Sequence, residues 1–344
     1  MASTRRMFGK RRSGGGFGLV VISAAWVSLA WVVAACGDSG DEAGNVVTTV
    51  AAATAPVAPV SPPTTPPAPV EAEPSVPEHV TYGDAETVYR TGKYRDAMEL
   101  FSVFALRHPE HPWGHYMLGL SSWKAGELER AERALGRAVE LSPKHVKGLV
   151  NLARVLLERD RPAEALERVE TALEIDPEAP ETWRVMGNAL SDLGENDEAL
   201  EAYRNALSLE GEDVWSMNNM GLVLIRQARY EEALPPLARA TGLAPKTAPF
   251  QNNLGVALER SGYPREAAVA YRAALDAGSE KAQISLTRVE KVGTVGDMAT
   301  LDVAALAATF AEDVARWKQL ATAKDTTASS DTTDTTPIVK QRPH

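Results

Sequence analysis

Between residues 78 and 281 small and large apolar positions recur at one constant interval, in units that start at 78, 112, 146, 180, 214 and 248. A large residue followed by a small one marks the first half of each unit, as in Leu118-Gly119, Leu152-Ala153, Met186-Gly187, Met220-Gly221 and Leu254-Gly255. Further along, alanine stands at Ala97, Ala131, Ala165, Ala199, Ala233 and Ala267, then again at Ala138, Ala172, Ala206, Ala240 and Ala274. Small residues at fixed spacing let two helices approach closely while leucine, methionine, tyrosine or valine fills the gap, so each unit predicts a helix pair. Gly92, Gly126, Gly194 and Gly262 fall between the two helices, where glycine adopts a positive φ cheaply. Pro162 and Pro264 sit in the first turn of a second helix, where a missing N–H costs little. Pro109, Pro143, Pro177 and Pro245 stop the second helices. The pattern predicts six such pairs in register.

Departures from the pattern predict local differences. The first unit has Ala85 in the glycine column and Phe104 in an alanine column, so its helices are expected to splay and to serve as an end cap. Pro235 and Pro236 lie well inside the fifth unit's second helix, where a kink is expected. Residues 281–292 have the apolar spacing of one capping helix. Asp302 can cap a further helix to about Thr322, with Val303, Leu306, Phe310, Trp317 and Leu320 along one stripe. That stripe folds back on the array, or meets a partner or a second copy; the first is favoured.

These columns resemble the tetratricopeptide repeat. The resemblance implies an all-α, right-handed solenoid, which with the capping helix takes in residues 78–292; the residues themselves read as a C-terminal helix in 293–324 and a disordered tail in 325–344. It also implies a concave groove lined by the first helix of each unit, the place for a protein or peptide partner. Carried over residue by residue, its columns are Tyr82, Arg90, Trp113, Tyr116, Trp123, Lys124, Arg154, Arg184, Asn188, Trp215, Asn218, Arg226, Asn252 and Arg260. Arg90, Lys124, Arg154 and Arg184 are expected to receive carboxylates of a bound segment. Trp183 falls in the family's structural tryptophan column. Asn151, Asn219 and Asn253 fall in a column that often bonds main chain. The lysine–asparagine–arginine clamp known for chaperone tails is not matched.

The N-terminal segment carries an address. Five basic residues and no acid precede the apolar run Phe17–Ala35, which ends in small residues before Cys36, the chain's single cysteine. Val33-Ala34-Ala35-Cys36 resembles the lipobox of bacterial lipoproteins, which implies a signal in 1–35 and a diacylglyceryl thioether on Cys36. An uncleaved anchor is the other reading, because such a run is close to bilayer-spanning length. Thr4–Lys10 resembles a twin-arginine export motif, with Gly9 departing from it, so the general and twin-arginine routes both stand. Residues 36–77, rich in Pro, Thr and Ala, cannot bury enough apolar surface to order and read as a tether. At about 3.1 Å per residue in polyproline II, such a tether reaches on the order of 100 Å. The implied location is the bacterial envelope, with the outer membrane facing the periplasm favoured.

A net charge of −10 leaves no dominant basic field, so nucleic acid is not expected as a partner. There is no Gly-rich phosphate loop, His-Glu zinc helix or serine elbow, and neither an enzyme nor a cofactor is expected. His108, His111 and His115 with Glu110 form the one metal-like group, but Pro109 and Pro112 are expected to splay it. The expected function is a membrane-anchored adaptor for envelope assembly or secretion, similar in layout to pilotin-type lipoproteins although its tether is longer. The alternative is a docking or glycan-binding subunit of a cell-wall or polysaccharide machine.

Overall fold

The computed structural model describes residues 79–292 and 300–330, and every element among them is a helix. The signal, Cys36, the tether and the end of the tail lie outside these residues. Six helix pairs follow one another: α1 (Tyr82–Arg90) with α2 (Tyr94–Arg107), α3 (Pro112–Lys124) with α4 (Leu128–Leu141), and α5 (Val146–Glu158) with α6 (Pro162–Ile175). Then come α7 (Pro180–Asp192) with α8 (Asn196–Leu209), α9 (Val214–Arg226) with α10 (Tyr230–Leu243), and α11 (Ala248–Arg260) with α12 (Pro264–Asp276). The capping helix is α13 (Ala282–Val292), and α14 spans Val303–Ser330. In the array each helix packs on the next, which is solenoid-like packing. Among the described residues no helix is long and apolar enough to cross a membrane.

The small residues are where two helices meet most closely. A methyl group at Gly119 would lie 2.5 Å from Leu135 Cγ, at Gly187 2.5 Å from Tyr203 Cε1, and at Gly221 2.4 Å from Leu237 Cγ. At Gly255 it would lie 2.6 Å from Tyr271 Cε1. In every case the large partner holds the same place in the second helix of the same unit, and all four partners are buried. The third unit makes the trade the other way, with Ala153 and the smaller Val169 at the same places, both fully buried. The first unit has Ala85 facing Phe101, also fully buried, so the summed volume of the pair varies and what recurs is a small residue under a larger one.

The turn after each first helix is also repeated. The N–H of Glu127, Arg161, Glu195, Arg229 and Tyr263 returns to a carbonyl of the preceding helix's last turn, closing a Schellman turn about a left-handed residue. Glycine supplies that conformation at Gly126, Gly194 and Gly262, but Asp160 and Ala228 adopt it too, both at φ 57°.

Three expectations change. The first pair does not splay: Tyr82 packs edge-on against Phe101 and Phe104, with ring centroids 5.6 and 5.7 Å away. Phe104 fits in an alanine column because the next unit offers Gly114, where a Cβ would be 2.9 Å from the ring. The helix α10 carries Pro235 and Pro236 inside one continuous element to Leu243, with Pro236 buried, which leaves the expected kink untested. The last helix runs on past Lys324 to Ser330, into the stretch expected to be tail. Its start agrees with the sequence: Asp302 Oδ1 accepts the Ala305 N–H at 3.0 Å. Most of its apolar stripe lies on α10 and α8, with Phe310 and Val314 buried and Trp317 under the Arg204 guanidinium, whereas Leu320, expected in the same stripe, is exposed.

Candidate peptide-binding groove

Helices α1, α3, α5, α7, α9 and α11 carry the groove residues. The cations are largely occupied by the chain's own carboxylates. Arg90 pairs with Glu86 at 2.8 Å, and Arg154 with Glu181 at 2.6 Å. Arg184 pairs with Asp213 at 2.7 Å, and the Asp213 side chain is only 3% exposed. That carboxylate also accepts the Ser216 hydroxyl at 2.6 Å and the Trp215 N–H at 3.1 Å, capping α9. Lys124 lies over the Trp123 ring, and Arg226 donates to Ser191 Oγ. Arg260 is exposed beside Glu259. The picture of four cations waiting for a ligand's carboxylates is therefore revised: three already hold carboxylates, and a bound acid would have to displace them.

The asparagines behave differently from expectation as well. Asn151 Nδ2 donates to Tyr116 Oη at 3.0 Å, one unit back, instead of to main chain. Further along, amides form a relay: Asn253 donates to Asn218 at 2.8 Å, Asn218 to Asn219 at 3.1 Å, and Asn219 to Asn188 at 2.9 Å. Tyr203 Oη also donates to Asn188 Oδ1, at 2.8 Å. With two donors on its oxygen, Asn188 is held in one orientation and turns its N–H pair away from them.

Tyr203 belongs to a second helix, and its residue type alone gives no groove assignment. Its ring passes beneath Gly187 to bring the hydroxyl to the concave side. The legible signal is glycine in the small column with tyrosine at the facing place in the second helix. It is repeated at Gly255 and Tyr271, whose hydroxyl donates to Glu259 at 2.8 Å. Burial pushes the Tyr203 phenol up, so it stays a donor. Asn188, Asn219, Tyr203 and Arg226 line a concavity of about 440 Å³ with Leu157, Leu222, Ile225, Glu158, Ser191 and Asp192. Burial raises the Asp192 carboxyl above its ordinary value, Arg226 opposing and Asp160 adding to that shift.

The tryptophans divide into two sorts. Trp183 is packed on the core and donates its indole N–H to the Pro177 carbonyl at 2.8 Å. Trp123 is partly buried and donates to Glu158 at 2.9 Å. Trp113 and Trp215 are 50% and 52% exposed. Each is held edge-on, Trp113 by His145 at the end of its own unit at 4.7 Å and Trp215 by Phe250 of the next unit at 4.9 Å. Tyr82 and Tyr116 are turned into aromatic clusters, and Asn252 is half-buried.

The histidine group near the second unit is drawn apart. His111 Nδ1 accepts the Gly114 N–H at 3.0 Å, His115 Nε2 bonds the Pro109 carbonyl at 2.9 Å, and His108 packs against Phe104. Among the described residues no group of three or more metal-ligating side chains comes together.

Family models described as tetratricopeptide repeats match residues 122–189, 187–228, and 82–146 with 218–282. No curated protein matches the chain. Among solved structures, a tetratricopeptide repeat protein from Parabacteroides merdae is 14% identical with TM-score 0.51, covering 60% of this chain and 82% of that one. The APC/C hetero-tetramer Cut9-Hcn1 is 16% identical with TM-score 0.53, over 60% of this chain and 41% of that one. MamA from Desulfovibrio magneticus RS-1 is 19% identical with TM-score 0.45, over 48% and 93%. These likenesses concern the fold.

Proposed function

Because residues 82–282 are tetratricopeptide repeats, a protein-interaction fold, we propose that this chain is a membrane-anchored, non-catalytic adaptor that holds peptide segments during cell-envelope assembly or secretion. The observation that carries the reading is the concave face itself. Two half-exposed indoles, Trp113 and Trp215, occupy matching places on the first helices of the second and fifth units. Between them Asn188 is fixed with its N–H pair available to a ligand carbonyl. Rigid aromatic anchors with a directed amide suit an extended segment, since tryptophan buries a large area at little entropic cost. The anchoring part of the reading rests on the lipobox-like Val33–Cys36 and the tether that follows it. Lipidated Cys36 would place the array outside the cytoplasm, at the outer membrane facing the periplasm.

The test is crosslinking in intact envelopes, comparing the native chain with one carrying Trp113→Ala, Trp215→Ala and Asn188→Ala. A defined set of proteins crosslinked by the native chain and lost from the variant supports the groove; an unchanged set sinks it. Cys36→Ser separately tests the anchor, which predicts release from the membrane fraction and loss of the lipid mass. The exposed indole faces also favour a second reading, a glycan-binding subunit of a cell-wall machine. Titration with soluble wall glycans would then quench tryptophan fluorescence in the native chain and not in Trp113→Ala with Trp215→Ala.

A further inference from the structure

The outer face of the second helices already holds one helix. Val314 of α14 sits against Gly211, where a Cβ would be 3.3 Å from its Cγ1, and Trp317 lies under Arg204. The same face two units earlier is open. Gly136 occupies the column that Arg204 fills two units later, and Arg168 the column of the buried Pro236. Here a cavity of about 450 Å³ lies between α4 and α6 over Leu152 and Leu156 of α5. A Cβ at Gly136 would meet nothing within 4 Å.

The charges of this cavity are unequal in a specific way. Its glutamates are already engaged: Glu132 with Arg159 and Arg161, Glu140 with Arg137, and Glu164 with Arg161. Neither Arg133 nor Arg168 makes an ion pair within 4 Å among the described residues, although Arg168 acts on Glu164 at longer range. Arg133 is exposed and Arg168 half-buried, and both side chains line the cavity, where a guanidinium is bonded well by an incoming carboxylate. We propose that this outer groove docks an amphipathic helix of a partner protein, its apolar side over Leu152 and Leu156 and its carboxylates on Arg133 and Arg168. The docking of α14 supplies the shape of the ligand, and the two unpaired arginines supply its charge. The walls of this site come from the second helices α4 and α6, and it shares only its floor helix, α5, with the concave groove.

The probe is a peptide of residues 303–322, whose stripe packs on the corresponding face of α8 and α10 two units later. One form bears Arg316→Glu and Lys318→Glu, the other Glu312→Lys and Asp313→Lys. Fluorescence anisotropy with the intact chain is expected to show saturable binding of the acidic form, with the basic form at least about tenfold weaker. Arg168→Ala and the exposed Arg133→Glu are each expected to weaken the acidic form by about tenfold. Gly136→Trp, which fills the cavity, is expected to abolish binding at unchanged melting temperature. Equal binding of both forms overturns the proposal. So does binding unaffected by Arg133→Glu and Arg168→Ala. If sedimentation shows a dimer that Gly136→Trp dissociates, the occupant is a second copy and the partner proposal is overturned.

Discussion

Gly187→Ala tests whether the Tyr203 ring needs the space that glycine leaves on the facing helix. The added methyl would stand 2.5, 2.7 and 2.8 Å from Cε1, Cδ1 and Cζ of Tyr203. That ring cannot step aside freely, because it is buried and its hydroxyl is bonded to Asn188. Overpacking of this kind costs about 1–3 kcal/mol, and losing the hydroxyl's bond adds about 1 kcal/mol. Alanine returns about 0.8 kcal/mol of helix propensity, leaving a net loss of about 1–3 kcal/mol. Gly136→Ala is the control: its methyl meets nothing, so it is expected to gain about 0.5–1 kcal/mol. Tyr203→Val in the Gly187→Ala background recreates the Ala153/Val169 pair of the third unit, with a favourable coupling of about 1–2 kcal/mol. Urea midpoints at constant slope, with amide exchange resolved to α7 and α8, give the four corners of the cycle. If Gly187→Ala is as stable as Gly136→Ala, or the coupling is zero, the steric reasoning is refuted.

Three other outcomes are expected. Ala228 holds a left-handed turn at φ 57°, so Ala228→Gly should raise the urea midpoint by the equivalent of about 1 kcal/mol. Asp213→Ala removes the Arg184 ion pair, the α9 cap and the Ser216 bond together, and calorimetry should show a loss of about 3 kcal/mol. Burial, helped by Lys147, lowers the His145 imidazole below its ordinary 6.5, so the unfolded chain binds the proton more readily. Its contribution to stability is complete above pH 6.5 and is lost as pH falls from there towards the folded-state value; NMR titration of the ring should show a midpoint below 6.5.

The columns of small residues were legible because they serve packing within a single unit. Gly119 and Gly221 are each fixed with their leucine partners by one helix pair, and the repeat displays the same columns unit after unit. The turn column was legible where it holds glycine, whereas Asp160 and Ala228, which take the same left-handed conformation, gave no sign of it by residue type. What depended on contacts between units was hidden. Arg184 reads as an open cation until Asp213, 29 residues on, is seen to reach it across the joint. Asn151 and Asn253 read as main-chain partners until side chains 35 residues back are seen to take their protons. The stripe of α14 could be read, but its seat could not, because Gly211 and Arg204 belong to a part of the array far back in the chain. Phe104 looked like a defect only because the compensating Gly114 lies in the following unit.

Internal pairing on the concave face has a consequence for how a ligand would be recognised. If Arg90, Arg154 and Arg184 drew a ligand by charge, raising salt would screen the attraction and weaken binding steeply. Glu86, Glu181 and Asp213 already neutralise them, and a ligand acid would gain only what it took from those carboxylates. On the proposed reading, affinity comes from area on Trp113 and Trp215 and from directed bonds to Asn188, neither of which is long-ranged. A segment crosslinked to this face should therefore change its dissociation constant by less than about threefold as sodium chloride rises well past the physiological range. The acidic peptide on the outer groove, held by unpaired Arg133 and Arg168, should weaken over the same range. Steep salt dependence at the concave face would mean that the ion pairs open on binding, and the arginines would be ligand contacts after all.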